Sequence, residues 1–466
     1  MTSDEAYFIL WGRNPALGYY DHPPLVGWLL APLTALSGSG WVARLPALLL
    51  PALVALGVRA ALLRWYERDE DTASLAALAV LLVPMNVWNV LITTDTPLVL
   101  FSVASMLAFA RAVQRGSNNC FFAAGILLGL AFTSKYLAVL LGLAYLVFSI
   151  STGNYKALLL VFLGALPFGL LNLYWNYEAC WCNVMFNAIN RHGDAGLSWT
   201  TPALFAASIA YLAAPLAWYA WRERRRLGWD EPMRRALLLA WLVPLAVFAL
   251  LSPVKRIGLH WLLSFIPALV LTLALALDRA RLAASVRFFA AFALVHAVAI
   301  AVVAALPLET WSSTRAYSRL VLLVRTPTLL AVVAPELDRF HLAGDSYSGA
   351  ALFAFHARRR VPVFGAGSSH ARQDDLFTDW RRYAGGNLLI LRREAPVMAD
   401  YRPYFRGVEV QRIRLGSAEF HAVLGTGFDY PAYRDGVLRT VRERYYRIPA
   451  WLPVGDCYFF RRYFTA

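Results

Sequence analysis

Long apolar runs separated by short polar loops dominate the first two thirds of the chain. About ten such runs are legible, at residues 41–63, 73–90, 97–113, 120–133, 136–150, 158–175, 202–221, 236–252, 260–278 and 286–307. Several reach the roughly 20 residues that a helix needs to cross hydrocarbon. The runs 120–133 and 136–150 are shorter, and Ser134-Lys135-Tyr136 divides them. A lysine there reads as a turn at a membrane face, because a charge at mid-bilayer is costly. Pro23-Pro24 stops any preceding helix and opens the apolar segment 25–36, too short to span, which reads as an interfacial helix anchored by Trp28.

After residue 307 the pattern changes. Short strand-like runs at 321–325, 331–333, 361–364, 387–391, 408–413 and 420–423 surround helical stretches at 349–357 and 373–383, with polar loops at 341–348 and 365–370. The expected architecture is an α-helical polytopic membrane domain over residues 1–307, followed by a small extracytoplasmic α/β domain over 308–466.

Charge orients the bundle. Arg64 and Arg68, Arg111 and Arg115, Lys156, the cluster Arg222 to Arg235, and Arg279, Arg281 and Arg287 each follow alternate spans. The positive-inside rule makes those loops cytoplasmic. The segments 1–40, 91–96, the Ser134-Lys135-Tyr136 turn, 176–201, 253–259 and everything after 307 then face outward. Asp4-Glu5, Asp95, Arg191-His192 and Lys255-Arg256 with His260 therefore share one side.

Composition agrees with this picture and narrows it. The chain is 59% hydrophobic and 16% charged, against about 25% charged for a soluble domain. The net charge of +15 is almost wholly arginine, and the lysines are Lys135, Lys156 and Lys255. Arginine beside spans is a topology signal, so nucleic acid is not an expected partner. Cys120 lies in an apolar run. Cys180 and Cys182 share a polar loop and Cys457 lies near the C-terminus; a disulfide is open to them on the outer side, and a bridge within the Cys180–Cys182 pair is disfavoured. No zinc-binding spacing is present.

Candidate chemistry is confined to the outer loops. Asp4-Glu5 reads either as a solvated acidic terminus or as a base, Asp4, with Glu5 in support, because neighbouring helical residues point about 100° apart. His22 reads as a turn histidine or as a donor to phosphate or sugar. Asp95 can cap the helix that begins near Pro97 and still face a site. Lys255, Arg256, Arg191, His192 and His260 sit where positive charge opposes the topology rule. There they would suit an anionic phosphate, or lipid headgroups.

In order and spacing these motifs resemble the integral-membrane GT-C glycosyltransferases, in the protein mannosyltransferase-like group that includes the lipid A aminoarabinose transferases. The resemblance rests on Asp4-Glu5, Tyr20-Asp21-His22-Pro23-Pro24-Leu25, Ala43-Arg44-Leu45-Pro46 and Thr94-Asp95-Thr96-Pro97-Leu98. It continues through Gly129 to Tyr136, Pro167, Trp175-Asn176, Arg191-His192-Gly193, Ser252-Pro253-Val254-Lys255, His260-Trp261 and Pro267. The later region matches more loosely, at Gly344-Asp345-Ser346-Tyr347 and at Phe353 to His356.

The resemblance implies a polyprenyl-phosphate-linked sugar donor, and transfer with inversion to an extracytoplasmic lipid, glycan or protein in a bacterial-type inner membrane. It implies Asp4 as base and Asp95 as a second acid, with Lys255 and Arg256 on the leaving phosphate. His22 stands where such enzymes often carry lysine. A divalent cation held by Asp4, Asp95 and His192 is a candidate cofactor. It also implies a transmembrane helix ahead of Asp4-Glu5, so the expectation is a chain start that omits one; the alternative is a reverse anchor at 41–63. A lipid-linked sugar flippase is the competing function, and a non-catalytic scaffold a third. A flippase should show paired repeats with broken helices near the midplane, and no such repeat is legible.

Overall fold

The computed structural model describes residues 1–84, 86, 90–190, 196–368 and 372–464. Each of the ten apolar runs contains a helix. Six of the runs fall in helices long and apolar enough to cross a membrane: Gly40–Trp65, Asp95–Arg115, Tyr155–Glu178, Thr200–Arg222, Pro232–Leu251 and Arg279–Ala305. The others are shorter, at Glu70–Leu82, Asn118–Ser134, Tyr136–Thr152 and Ile266–Ala276. Part of the run 73–90 lies outside the described residues. The protein is a multi-pass membrane protein.

Local chemistry sets the helix ends. Asp95–Arg115 carries Pro97 in its first turn and stops at Gly116, whose φ of 64° suits glycine. Asn118–Ser134 then starts at Ser117, whose hydroxyl accepts from the Cys120 N–H. Gly125 and Gly164 bring the helices Asn118–Ser134 and Tyr155–Glu178 into backbone contact. A Cβ on either would collide with the carbonyl of Val161 or Phe122, the small-residue packing expected within a membrane. Ile266–Ala276 is apolar all round because it is surrounded, with every residue from 266 to 275 buried.

The arginine-rich loops gather at one end. Arg279 pairs with Asp71 at 2.5 Å, Arg281 with Glu223 at 2.5 Å, and Arg68 donates to the Leu277 carbonyl at 3.4 Å. Asp4, Glu5 and Asp95 lie at the opposite end with the sheet.

That end carries a four-stranded sheet of β1 (His341–Gly344), β2 (Leu388–Arg392), β3 (Phe405–Leu415) and β4 (Ala418–Phe428) in the order β1-β2-β4-β3. β1 and β2 are parallel; β4 is antiparallel to both its neighbours. One face packs on the helices Tyr317–Val333 and Tyr347–Ala357 through Val321, Leu329, Phe353 and Leu389. Across the other, Trp380, Tyr433 and Phe459 pack with Tyr20, Trp175 and Cys180 from the membrane unit. The first helix, Ser3–Arg13, buries Ala6, Ile9 and Trp11 with Leu352 of Tyr347–Ala357.

Two expected strands, 321–325 and 331–333, are instead helical within Tyr317–Val333. Their β-branched residues suggested strands, but Tyr317, Val321, Leu329 and Val333 recur at multiples of four, which puts them on one helical face. That helix is also long and apolar enough to span when counted as Tyr317–Asp338, yet it lies on the sheet. Of the expected loop 341–348, the first four residues form β1, while 361–364 contributes a single bridge, Val363 to Gly344. The stretch 373–383 divides into Asp374–Phe377 and a 3-10 turn, Trp380–Tyr383.

Candidate active site

Glu5 and Asp4 are adjacent and differently held. The first helix opens with a capping box, in which the Thr2 hydroxyl accepts from the Glu5 N–H at 3.2 Å and Glu5 Oε2 accepts from the Thr2 N–H at 2.9 Å. Arg44 then clamps the same carboxylate with both arms, at 2.6 and 2.7 Å. The Ile92 N–H donates to it at 3.3 Å. Glu5 is 0% exposed. Burial would raise its pKa, but the Arg44 bonds and the two backbone donors outweigh burial and hold it below the ordinary glutamate value.

Asp4 points the other way and remains open to solvent. The Tyr347 hydroxyl, 343 residues away in sequence, approaches its Oδ1 at 3.5 Å. Partial burial of the carboxylate lifts its pKa, Tyr347 pulls against that, and the Glu5 charge adds to the rise; the net shift is upward. Tyr347 itself is pushed up to about 12 by burial and by the charge of Asp4. Its ring meets Tyr7 edge-on at 5.5 Å, and the Tyr7 hydroxyl donates to Asp21 Oδ1 at 3.1 Å.

The turn around Asp21-His22-Pro23 is built from Tyr19, which stacks on Trp11 at 4.3 Å and donates to the Trp11 carbonyl at 3.1 Å. His22 faces Trp11 and Phe8, with ring centroids 6.0 and 6.4 Å away. Asparagines spaced by four support the turn. Asn183 donates to the Tyr19 carbonyl at 2.8 Å and Asn187 to the Asp21 carbonyl at 3.2 Å.

Asp95 is buried at the start of its helix. Lys135 reaches its Oδ1 at 2.7 Å, the Thr93 hydroxyl donates to Oδ2 at 3.3 Å, and Ser134 bonds the Thr94 carbonyl at 2.7 Å. His260 and His22 lie near enough for their charges to act on this carboxylate. The Glu5–Ile92 bond ties the Asp95 loop to the first helix. Asp4, Glu5, His22, Asp95 and His260 thus gather at one end of the bundle. Lys255 is half-buried and Arg256 exposed in the preceding loop. Arg191 and His192 lie outside the described residues.

Four further residues, Lys135, Asn183, Asn187 and Tyr347, shape the site without having been candidates in the sequence. Lys135 was read as a turn and is also the partner of Asp95. The signal for Asn183 and Asn187 was their spacing of four. Tyr347 lies in the loosely matching segment Gly344 to Tyr347, but nothing local joins it to Asp4, since the contact crosses nearly the whole chain.

The candidate cation site of Asp4, Asp95 and His192 includes a residue outside those described, and among the described residues no three His, Cys, Asp or Glu side chains group to hold a metal. A polar cavity of about 500 Å³ borders Ser3, Arg319, Asp345, Tyr347 and Arg392 beside Asp4. An apolar crevice of about 350 Å³ runs among Leu262, Phe265, Leu212, Trp241 and Trp221 to Arg224.

The loop cysteines do not pair locally. Cys180 is bonded to Cys457, 277 residues on, while Cys182 is buried and free, and Cys120 is free.

Residues 21–175 match the family described as dolichyl-phosphate-mannose-protein mannosyltransferase. Over 185 residues the chain is 28% identical to lipid A galacturonosyltransferase RgtD of Rhizobium johnstonii, and the aligned stretch spans 38% of each protein. In fold, the chain is similar to ArnT of Cupriavidus metallidurans in its apo state, with a TM-score of 0.62 and 17% identity over 91% of this chain and 93% of that one. It is similar as well to the same protein bound to undecaprenyl phosphate, with a TM-score of 0.60 and 15% identity over 91% of this chain and 92% of the other.

Proposed function

We propose that the protein transfers a sugar from a polyprenyl-phosphate donor to a lipid acceptor of the lipid A class, with inversion at the anomeric carbon. One observation carries this reading: the Asp95–Lys135 pair gathers His22 and His260 at the same end of the membrane bundle as Asp4. The undecaprenyl phosphate bound by the ArnT neighbour and the lipid A activity of RgtD support the two substrate classes.

In this reading Asp4 accepts the proton of the acceptor hydroxyl as its oxygen attacks the anomeric carbon. The bond to the phosphate oxygen breaks with its electron pair, and polyprenyl phosphate leaves as an anion. The leaving group needs no strong acid, so one base with preorganised cations suffices. A general base contributes about 10²–10⁴-fold. Lys255 and Arg256 receive the departing phosphate, with His22 and His260 beside it. Asp95 fixes Lys135 and the histidines. Glu5, with its oxygens engaged, holds the first helix in place. The crevice below Leu262 accommodates part of the prenyl tail. No step is assigned to a divalent cation.

Residues 1–307 form the membrane unit in this reading and 308–466 the soluble one, both serving a site that faces outward from a bacterial-type inner membrane. The Cys180–Cys457 bond supports that side, since disulfides persist in oxidising compartments.

The test uses purified protein with a polyprenyl-phosphate-linked sugar and lipid A, following release of polyprenyl phosphate and the mass of the acceptor. The wild type should add one sugar per release, and Asp4→Asn should lose about 10²–10⁴-fold in rate while remaining folded. Undiminished transfer by Asp4→Asn would remove the base. Donor movement across the membrane without transfer would make the protein a flippase.

A further inference from the structure

The loop after the last arginine-rich helix is fastened to the end of a membrane span. The Gly455 N–H donates to the Tyr177 carbonyl at 3.1 Å, the Trp181 indole donates to the Pro453 carbonyl at 2.7 Å, and Cys457 is bonded to Cys180. Tyr177 lies in the last turn of Tyr155–Glu178, a helix of 24 residues. At 1.5 Å per residue that helix is about 36 Å long, longer than the roughly 30 Å hydrocarbon core. The charged Glu178 that ends this helix sets its last turn at the headgroup level rather than in hydrocarbon, and the fastened loop stands beside it.

What the loop presents there is apolar. Trp451 is 78% exposed, and Pro453 and Val454 are exposed beside it. Among the described residues nothing covers Trp451. Leu197 and Trp199, before the span Thr200–Arg222, are 88% and 91% exposed at the same end. Exposed tryptophans at one end of a membrane bundle are the mark of a membrane interface.

Next to the loop is a basic groove of about 1050 Å³, lined by Arg439, Arg442, Arg447, Ile448, Val454 and Phe460. Residues 439–447 hold four arginines against Glu443. Arg442 lies over the rings of Phe460 and Phe464 at 5.3 and 4.9 Å, which pre-sets its guanidinium without consuming its charge. Arg439 is shared with Asp435 at 3.3 Å.

We propose that residues 439–456 form a membrane-surface foot, in which Trp451 and Val454 enter the headgroup layer and the Arg442–Arg447 groove binds the anionic headgroups of phospholipids in that leaflet. The foot seats the sheet against the bilayer at the end where the candidate site lies. The disulfide and the two hydrogen bonds hold it at the correct depth. Anchoring of this kind adds an electrostatic contribution for each arginine near an anionic surface and is weakened by salt.

The experiment places the full-length protein in lipid nanodiscs of phosphatidylcholine, with or without phosphatidylglycerol. Lipids brominated near the headgroup should quench the wild type more than Trp451→Phe. Backbone hydrogen exchange across 448–456 should slow when phosphatidylglycerol is added, by about fivefold for each engaged arginine. Arg442→Gln/Arg447→Gln should lose that slowing while keeping the Cys180–Cys457 bond, and high salt should abolish it in the wild type. Exchange indifferent to lipid charge, or quenching unchanged in Trp451→Phe, overturns the proposal. Protection reproduced in phosphatidylcholine by inorganic phosphate alone also overturns it, because the groove would then serve a soluble anion.

Discussion

Lys135 Nζ lies 2.7 Å from Asp95 Oδ1, with both side chains nearly buried. The two residues end and begin neighbouring helices, so the ion pair joins Asn118–Ser134 to Asp95–Arg115 at the candidate site. Removing one member of such a pair strands the other charge. Lys135→Met should therefore destabilise the protein by about 3–5 kcal/mol. Adding Asp95→Asn should recover part of that loss. Thermal unfolding of the single and double variants in detergent measures the coupling; additive losses would show that the contact carries no stability.

Glu5 and Asp4 should separate stability from activity. Glu5→Gln leaves Arg44 facing a neutral amide and should cost about 3 kcal/mol, seen as a lowered unfolding temperature. Because the folded-state pKa of Glu5 lies below its ordinary value, its stabilising contribution is present above the unfolded pKa and is lost as pH falls through the folded one. Acid titration of unfolding should show that loss in the wild type and not in Glu5→Gln.

Tyr347→Phe removes the hydroxyl that pulls the Asp4 pKa down against burial. The Asp4 pKa then rises further. A base must be deprotonated, so the acid limb of the rate profile should move to higher pH, while the plateau at high pH stays near that of the wild type. A profile unmoved by the substitution would exclude Tyr347 from the electrostatics of Asp4.

Thiol counting tests the disulfide. Denatured, unreduced protein should expose two thiols, Cys120 and Cys182, and reduced protein four. Reduction, or Cys457→Ser, should destabilise by about 2–4 kcal/mol and loosen the loop around Trp181, measured as faster proteolysis after residue 445.

Orientation is tested by labelling. Leu197→Cys and Asp230→Cys place thiols at exposed positions near opposite ends of Thr200–Arg222. An impermeant reagent added to intact cells should reach the first and not the second. Equal labelling would overturn the assigned side.

The membrane unit was legible in the sequence because hydrocarbon imposes a local rule: a spanning segment must be long, apolar and internally hydrogen-bonded, whatever its neighbours. All ten apolar runs contain helices, six of them long and apolar enough to span, and alternate arginine clusters marked loops of one side, two of which meet where Arg279 pairs with Asp71. The acidic pair, Asp95 and His260 were legible as polar residues sharing one side. In the soluble region the same reading erred at 321–333, where β-branched composition masked a helical repeat and where packing against the sheet, rather than propensity, decided the outcome.

The remaining features depended on contacts between distant parts of the chain. Sequence spacing could not distinguish the locked carboxylate of Glu5 from the open one of Asp4, since Arg44 and Ile92 arrive from elsewhere. Nor could it bring Tyr347 to Asp4, or Cys457 to Cys180. Apolar length and loop charge are properties of segments, and the sequence alone determined them. Partnership between charges depends on which helix ends and loops pack together, and only the tertiary structure decided that.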